Sequence, residues 1–305
     1  MSSKPSSAKL QTHGFDQTNF DKKLSEIRER LNQAGDTKQG TLTNKLAYLQ
    51  QLTEFEFGRF MISNGGLNGR WSHYAFYEYP RFIDKNKIHP LELRILESPF
   101  QKSNRERISL VQSILLPELF EGISILSVPC GVMADLTSLD YTKISDFSVT
   151  GVDLDNESLK LARSFAEQHK KQNNIHFERQ DAWNLKFESN FDIVVSLGLN
   201  MYSPSLDIAM QLYKTLFSQL KRGGKLIISF LTPDISSPDS ERDVTLLTPE
   251  EIDRQDIARE VLQIKYQQHT CTSKQIVQYL KEAGFSSVSC YYSKFRAFNI
   301  AVATK

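Results

Sequence analysis

The stretch ILSVPCGVMADL, residues 125–136, decides how the rest of the chain reads. Its opening residues end the apolar run Ile123 to Val128, which predicts a buried strand. Pro129, Cys130 and Gly131 then turn the chain, and a helix follows. A second strand, Phe147 to Val152, is closed by Asp153, 22 positions after Gly131. Strand, glycine turn, helix, strand and acid is the order in which a βαβ unit offers a bare backbone turn and a carboxylate to one ligand.

Outward from this unit the same alternation continues. The helix RISLVQSILLPELF leads into the first strand, and the helix Glu157 to Lys171 follows the second. Then come strands Ile175 to Arg179 and Phe191 to Leu197, a helix from about Ser205 to Leu220, and the strand Lys225 to Phe230. Strands separated by helices predict a parallel sheet covered on both faces. After a polar insertion, Pro233 to Gln267, and the helix Ser273 to Ala283, the runs Ser286 to Tyr292 and Phe298 to Ala303 stand too close for a parallel crossover. They predict a terminal antiparallel hairpin. The fold class is therefore α/β, a Rossmann-like doubly wound, mainly parallel sheet with that hairpin and an N-terminal helical cap.

Four turn residues, Gly131, Asp153, Asp181 and Gly198, fall at or just after the carboxyl ends of predicted strands, where open α/β sheets bind ligands. A carboxylate at Asp153 can accept hydrogen bonds from both hydroxyls of a ribose, which suits a nucleotide cofactor or S-adenosylmethionine. An NAD(P)-dependent oxidoreductase would need G-x-G-x-x-G after the first strand, and PCGVMA supplies one of those glycines.

Over about residues 105–305 the sequence resembles the class I S-adenosylmethionine-dependent methyltransferases. Ser127-Val128-Pro129-Cys130-Gly131-Val132-Met133 stands at their first motif, GVDLD at their ribose-binding acid, and RQDAWNL at their adenine loop. FDIVVSLGLNMY, LKRGGKLIIS and the final EAGFSSVSCYY and RAFNIAVATK look like their fourth strand, fifth strand and terminal hairpin. The resemblance implies methyl transfer from S-adenosyl-L-methionine, with S-adenosyl-L-homocysteine as product. It implies a cofactor site of Val128, Pro129, Cys130, Gly131, Asp153, Leu154, Asp181, Ala182, Ser196 and Gly198. Ser103, Arg105 and Arg107 precede the helix that feeds the first strand, and an arginine there, with Arg105 the one selected, could pair with the methionine carboxylate; a surface charge on the first turn is the simpler role. Pro129 and Met133 depart from the motif's glycines and Ser127 from its acid, which bears on how the methionine end is held. An interaction module that has lost the cofactor is the non-enzymatic alternative.

Residues 1–17 read as a mobile tail, 18–104 as a helical, aromatic cap or lid, and 105–305 as the Rossmann domain. Phe20, Leu24, Ile27 and Leu31 are spaced for a helix, with Thr18 as N-cap and Gly35 as stop; a second helix from about Thr43 would carry Leu46, Leu49, Leu52, Phe55, Phe57 and Phe60. The segment Ser63 to Pro80, SNGGLNGRWSHYAFYEYP, predicts a loop. Ten aromatics stand between Tyr48 and Phe82, and packing is the ordinary use of such a run. As a lid the loop would instead place Arg70, Trp71, His73 and Tyr74 over the cofactor cleft. His73 and Tyr202 are the candidate catalytic residues, with His269 a further candidate base. Simpler roles stand beside these: Asp155 as a helix cap, Asp181 as a turn residue bonding its own backbone, Trp183 as core, Cys130 as a buried spectator, and Asn200 as loop polarity.

Composition removes several classes of function. With 37 Lys and Arg against 36 Asp and Glu, the chain has no general attraction for nucleic acid or anionic membrane. Residues 1–110 are the basic part, with 17 cationic against 12 anionic side chains. Three cysteines without CxxC spacing write neither a zinc site nor a disulfide framework, so no metal is expected. No stretch approaches the roughly 18 apolar residues of a spanning helix, and the polar N-terminus lacks an export-signal core. A cytoplasmic protein with a small-molecule acceptor is expected. HExxH, P-loop and GxSxG patterns are absent, as is the (Asn/Asp/Ser)-Pro-Pro-(Tyr/Phe) of methyltransferases acting on planar nitrogens.

Overall fold

The computed structural model describes residues 17–187, 191–263 and 269–305. The tail expected at residues 1–17 lies outside them except for Gln17. Two compact units divide the chain: Met1–Asn68 with Asp253–Ile264, and Gly69–Ile252 with Lys265–Lys305.

The smaller unit holds α1 (Gln17–Ala34), α2 (Leu42–Leu52) and α3 (Glu56–Asn64). Phe20, Ile27 and Leu31 form the buried stripe of α1 that their spacing predicts. The helix already runs at Gln17, so Thr18 sits inside its first turn instead of capping it. Gly35 ends it in a left-handed conformation, φ 62°, returning its N–H to Leu31 O. The helix expected from Thr43 through Phe60 breaks at Thr53–Phe55. Gly58 permits that break, because a Cβ there would stand 2.2 Å from Leu52 O. Lys45, fully buried, donates to Gly35 O, Thr37 Oγ1 and Glu260 Oε1 at 2.8–3.0 Å. Arg30 forks onto Glu260 O and Val261 O, both at 2.7 Å. These bonds tie the distant segment from Asp253 to the N-terminal helices.

The larger unit begins with α4 (Gly69–His73), a π-helical turn (Tyr74–Glu78) and α5 (Tyr79–Phe82), then α6 (Pro90–Leu96) and α7 (Pro99–Leu115). The loop expected from Ser63 to Pro80 is therefore confined to residues 65–68. Gly65 caps α3 at φ 65°, and from Gly69 the chain is helical, with Ala75, Phe76, Tyr77 and Tyr79 buried. There follow β1 (Ile123–Ser127), α8 (Ala134–Thr137), β2 (Phe147–Asp153), α9 (Asn156–Gln168), β3 (Ile175–Arg179), β4 (Phe191–Ser196), α10 (Leu206–Ser218) and β5 (Leu220–Leu231). The insertion contains α11 (Pro249–Leu262), which its polarity did not announce. The chain closes with α12 (Ser273–Glu282), β6 (Ser287–Tyr291) and β7 (Phe298–Thr304).

The seven strands take the order β3-β2-β1-β4-β5-β7-β6, parallel from β3 to β5 and antiparallel at β5–β7 and β6–β7. Strand alternation feeds both faces. Leu126, Val152, Val194 and Ile228 pack on one side with Leu212, Leu216 and Ile276, while Ile125, Val149, Val195 and Ile227 pack on the other with Val111, Leu115 and Leu159. Each such fully buried side chain contributes about 1.5–3 kcal/mol. The chain runs from β1 outward through β2 to β3 and then crosses back to β4 on the other side of β1, so the crevice beyond β1 and β4 is the topological switch point. Among the described residues, no helix is long and apolar enough to cross a membrane.

Candidate functional site

The turn after β1 is fixed by both neighbouring strands. Val128 N–H donates to Val195 O at 2.9 Å and Cys130 N–H to Val152 O at 2.8 Å, with the Val128–Pro129 peptide bond cis. Gly131 and Met133 adopt left-handed conformations, φ 52° and 57°. Glycine does so freely; Met133 is held there by its N–H to Cys130 O and by burial. This geometry aims Gly131 N–H at Asp153 Oδ2, 2.9 Å away, while Asp155 N–H donates to Oδ1 at 2.9 Å. Asp155 caps α9 through Glu157 N–H and accepts from Ser158 Oγ at 2.7 Å. Burial raises the Asp153 pKa above the ordinary carboxylate value, and the backbone donors pull the other way. The carboxylate is thus aimed by backbone, with a lone pair on each oxygen left for a ligand.

Within the segment read as a lid, a glycine that the sequence did not single out lies on this turn. Gly69, the first residue of α4, approaches so closely that a Cβ would stand 2.2 Å from Ser158 Oγ and 3.3 Å from Gly131 Cα. The N-terminal end of α4 therefore seats directly on the glycine turn and the first turn of α9. The signal was Asn68-Gly69, a helix-start pair inside a glycine-rich segment.

The second half of the site is built around Arg107. Its Nη1 donates to Ser229 Oγ at 3.3 Å, and that hydroxyl also accepts Gly198 N–H at 2.7 Å. Gly198, φ 83°, lies just beyond β4, and a Cβ there would stand 3.1 Å from Arg107 Nη1. Burial pushes the Arg107 guanidinium down to about 10, although Asp135 and Tyr202 act on it in the opposite direction. Asp135, also buried, has its own pKa raised by burial, and no ion pair joins it to Arg107 among the described residues. Arg107 Nε, Asn104 Oδ1, Ser196 Oγ and Asn200 Oδ1 are buried without a hydrogen-bond partner. Buried polar atoms are ordinarily satisfied, so this group at the carboxyl ends of β4 and β5 has capacity for a polar ligand.

Arg105, two residues earlier on α7, points elsewhere. It donates to Leu96 O at 2.6 Å and lies over the Tyr79 ring. Arg107 shares the buried face of Asn104, Ile108, Val111 and Leu115, and a helix turns about 200° between residues 105 and 107. Helical phase would have selected Arg107.

The remaining sequence-selected residues fall in several places. Leu154 accepts Arg179 Nε through its carbonyl. Asp181 Oδ1 accepts Trp183 N–H in a local turn, Ala182 is core, and the Trp183 indole donates to Ile208 O. Cys130 is buried and its thiol is pushed well up, first by burial and then by Asp153, so it is inert as a nucleophile. Asn200 donates to Tyr213 OH, while Tyr202 packs with Met201, Leu231 and Phe298. His73 belongs to another cluster: its ring stacks on Tyr77 at 5.1 Å and meets Phe165 at 5.0 Å, and burial, followed by Arg70, Arg81 and His169, pushes its pKa down to about 4. Trp71 meets Tyr74 edge to face under Arg70, and Tyr74 OH donates to Glu92 at 2.8 Å. His269 N–H donates to Met201 O. The structure thus brings Val128–Gly131 to Asp153 and Gly198 to Arg107, and keeps His73 and Tyr202 in separate clusters.

Comparison with known proteins bears on the family and the fold. A family model described as a methyltransferase domain matches residues 119–284. Over 105 residues the chain is 30% identical to sterol 24-C-methyltransferase of Aspergillus fumigatus, which is 34% of this chain and 26% of that protein, so the match spans about a quarter of that relative. A solved structure from Bordetella parapertussis, described as a possible exported protein, superposes with TM-score 0.88 at 31% identity, covering 94% of this chain and 96% of that one. Magnesium protoporphyrin IX methyltransferase of Synechocystis PCC 6803, solved with bound S-adenosylhomocysteine, shares the fold: TM-score 0.51, 16% identity, 77% of this chain and 98% of that one. With the domain model covering more than half of the sequence and the fold that of a class I enzyme, the chain belongs to the S-adenosylmethionine-dependent methyltransferase family.

Proposed function

We propose that the protein binds S-adenosylmethionine beyond the carboxyl ends of β1, β2 and β4 and transfers its methyl group in line to a small-molecule acceptor. The observation that carries this reading is Asp153, whose two oxygens are each fixed by one backbone N–H while retaining capacity for a ribose diol. The residues fit the cofactor at its other end too. Arg107 is a buried guanidinium with Nε unpartnered and no carboxylate in ion-pair contact among the described residues, which suits an amino-acid carboxylate. The bare backbone of Gly131 and Gly198 leaves room for Gly69 and for the Arg107 guanidinium, which brings α4 and Arg107 to the site.

When bound, the cofactor supplies an already activated methyl group, so alignment and exclusion of water are the protein's main tasks. Asp153 orients the ribose, Arg107 holds the carboxylate, and α4, seated on Gly131, shields the turn from solvent. Tyr202, in the turn that follows β4 and packed against Met201, Leu231 and Phe298, is assigned to orienting the acceptor. The unpaired Cys130, Cys271 and Cys290 suit a reducing cytoplasm.

Calorimetric titration with S-adenosylhomocysteine tests the reading. One-site binding is expected, weakened about 10- to 100-fold by Asp153→Ala, the range of charge-assisted hydrogen bonds. Absence of binding to the wild-type protein would reject it.

A further inference from the structure

We propose that the cleft between α5 and α7 binds an organic anion carried on an apolar body. Its identity as the methyl acceptor's anionic handle rests on the function proposed above. The cleft has a volume of about 430 Å³, within the range of small-molecule sites. Arg81, Lys102 and Arg105 line it together with Phe76, Pro80 and Ile108, so three cationic side chains border an apolar surface.

These cations are not equally committed. Lys102 faces Glu97 at 3.3 Å. Burial alone would raise the Glu97 pKa, but Lys85, Tyr79 and Lys102 together pull it down to about 2, so its charge is already shared among them. Arg105, half-buried, spends one N–H on Leu96 O and rests on the Tyr79 ring. Arg81 donates to Tyr77 O at 3.2 Å and lies over the Tyr77 ring at 4.3 Å. Arg81 is held by neutral groups; Arg105 is held by neutral groups too but also feels the Glu97 and Glu106 carboxylates, neither in hydrogen-bond contact with it among the described residues. Both guanidiniums keep unused donors, which a planar fork uses to recognise an anion. Glu106 is the one acid on the wall, and its Oε2 accepts Lys294 N–H at 2.7 Å. The excess charge of the lining is positive.

The cleft also adjoins the methyl-transfer site. Phe76 forms part of its wall, and the Arg107 guanidinium lies over the same ring at 5.9 Å. The cationic cleft and the arginine at the ends of β4 and β5 thus share Phe76 as a neighbour.

The test is calorimetry with 4-phenylbutyrate, its neutral analogue 4-phenylbutan-1-ol, acetate and inorganic phosphate, on wild type, Arg81→Ala and Arg105→Gln, with S-adenosylhomocysteine titrated into the same samples. Saturable one-site binding of 4-phenylbutyrate is expected, weakened about tenfold in each variant, with the alcohol, acetate and phosphate each about tenfold weaker than 4-phenylbutyrate on wild type. Exposed Arg81 supplies a variant that keeps the fold, and unchanged S-adenosylhomocysteine affinity reports it. Equal 4-phenylbutyrate affinity in wild type and both variants, or an alcohol or phosphate binding as tightly as the acid, overturns the proposal. If 4-phenylbutyrate binds as stated while S-adenosylhomocysteine does not bind wild type, the anion site stands and the methyl-transfer reading falls.

Discussion

Gly69→Ala probes the seat of α4 on the glycine turn, and its sign is informative. In a helix, replacing glycine by alanine ordinarily stabilises by about 0.5–1 kcal/mol. Here the added methyl would stand 2.2 Å from Ser158 Oγ and 2.9 Å from Ser158 Cβ. Ser158 is buried and donates to Asp155 Oδ2, and Asp155 N–H in turn holds Asp153 Oδ1. The methyl must therefore lift α4 or displace a serine that supports the cofactor-facing carboxylate. Overpacking of this kind costs about 1–3 kcal/mol; an approach of 2.2 Å to a buried atom belongs in the upper part of that range, about 2–3 kcal/mol, which leaves a net loss of about 1–2 kcal/mol after a helix gain of about 1 kcal/mol. For a unit of this size that is a fall in Tm of about 2–8 °C. Thermal denaturation followed by circular dichroism measures it, and repeating the substitution in a Ser158→Gly background isolates the contact. In that background Gly69→Ala should become neutral or stabilising. An increase in Tm in the wild-type background, or the same loss in both backgrounds, would refute the close approach.

Arg107→Met should leave Tm unchanged or higher, because an incompletely paired buried charge is replaced by an apolar side chain of similar length, while S-adenosylhomocysteine affinity falls by about tenfold or more; parallel melting and calorimetry separate the two effects. His73 gives a pH prediction. Its folded pKa is depressed to about 4 from 6.5, so the unfolded chain takes the proton first and stability declines as pH falls from 6.5 toward 4. Glu78, 3.5 Å from Nε2, pulls the other way but is half-exposed and screened. After that allowance about 1–2 kcal/mol is lost across the window, and His73→Phe, which keeps the ring stack, should flatten the dependence of Tm on pH. Lys45→Met strands Glu260 and should destabilise the smaller unit by about 1–3 kcal/mol, less than for a fully buried pair because the carboxylate retains some solvent; faster hydrogen exchange across Leu42–Leu52 would show it.

The parallel sheet was legible because its strands are buried on both faces and spell apolar runs between glycine turns, as in Ile123 to Val128 and Lys225 to Phe230. The terminal hairpin was legible from spacing alone. Two helical stretches were not. Residues 69–82 hide behind glycines, which in fact cap α3 and allow the contact at Ser158. Helix α11 has charged residues on every side, so its apolar periodicity is weak, and Arg30 and Lys45, more than 200 residues earlier in the chain, help to hold it. At the site, the Gly131–Asp153 pair followed from motif spacing, since it needs only two strand ends in register. Arg107 required helical phase, and Gly69 required a long-range approach that no local pattern encodes.

The most direct test of the account is a crystal structure of the S-adenosylhomocysteine complex. The ribose hydroxyls should lie at hydrogen-bonding distance, about 2.5–3.0 Å, from the Asp153 carboxylate, and the ligand carboxylate on Arg107. A ligand that lies elsewhere, or whose ribose contacts neither oxygen of Asp153, would contradict it.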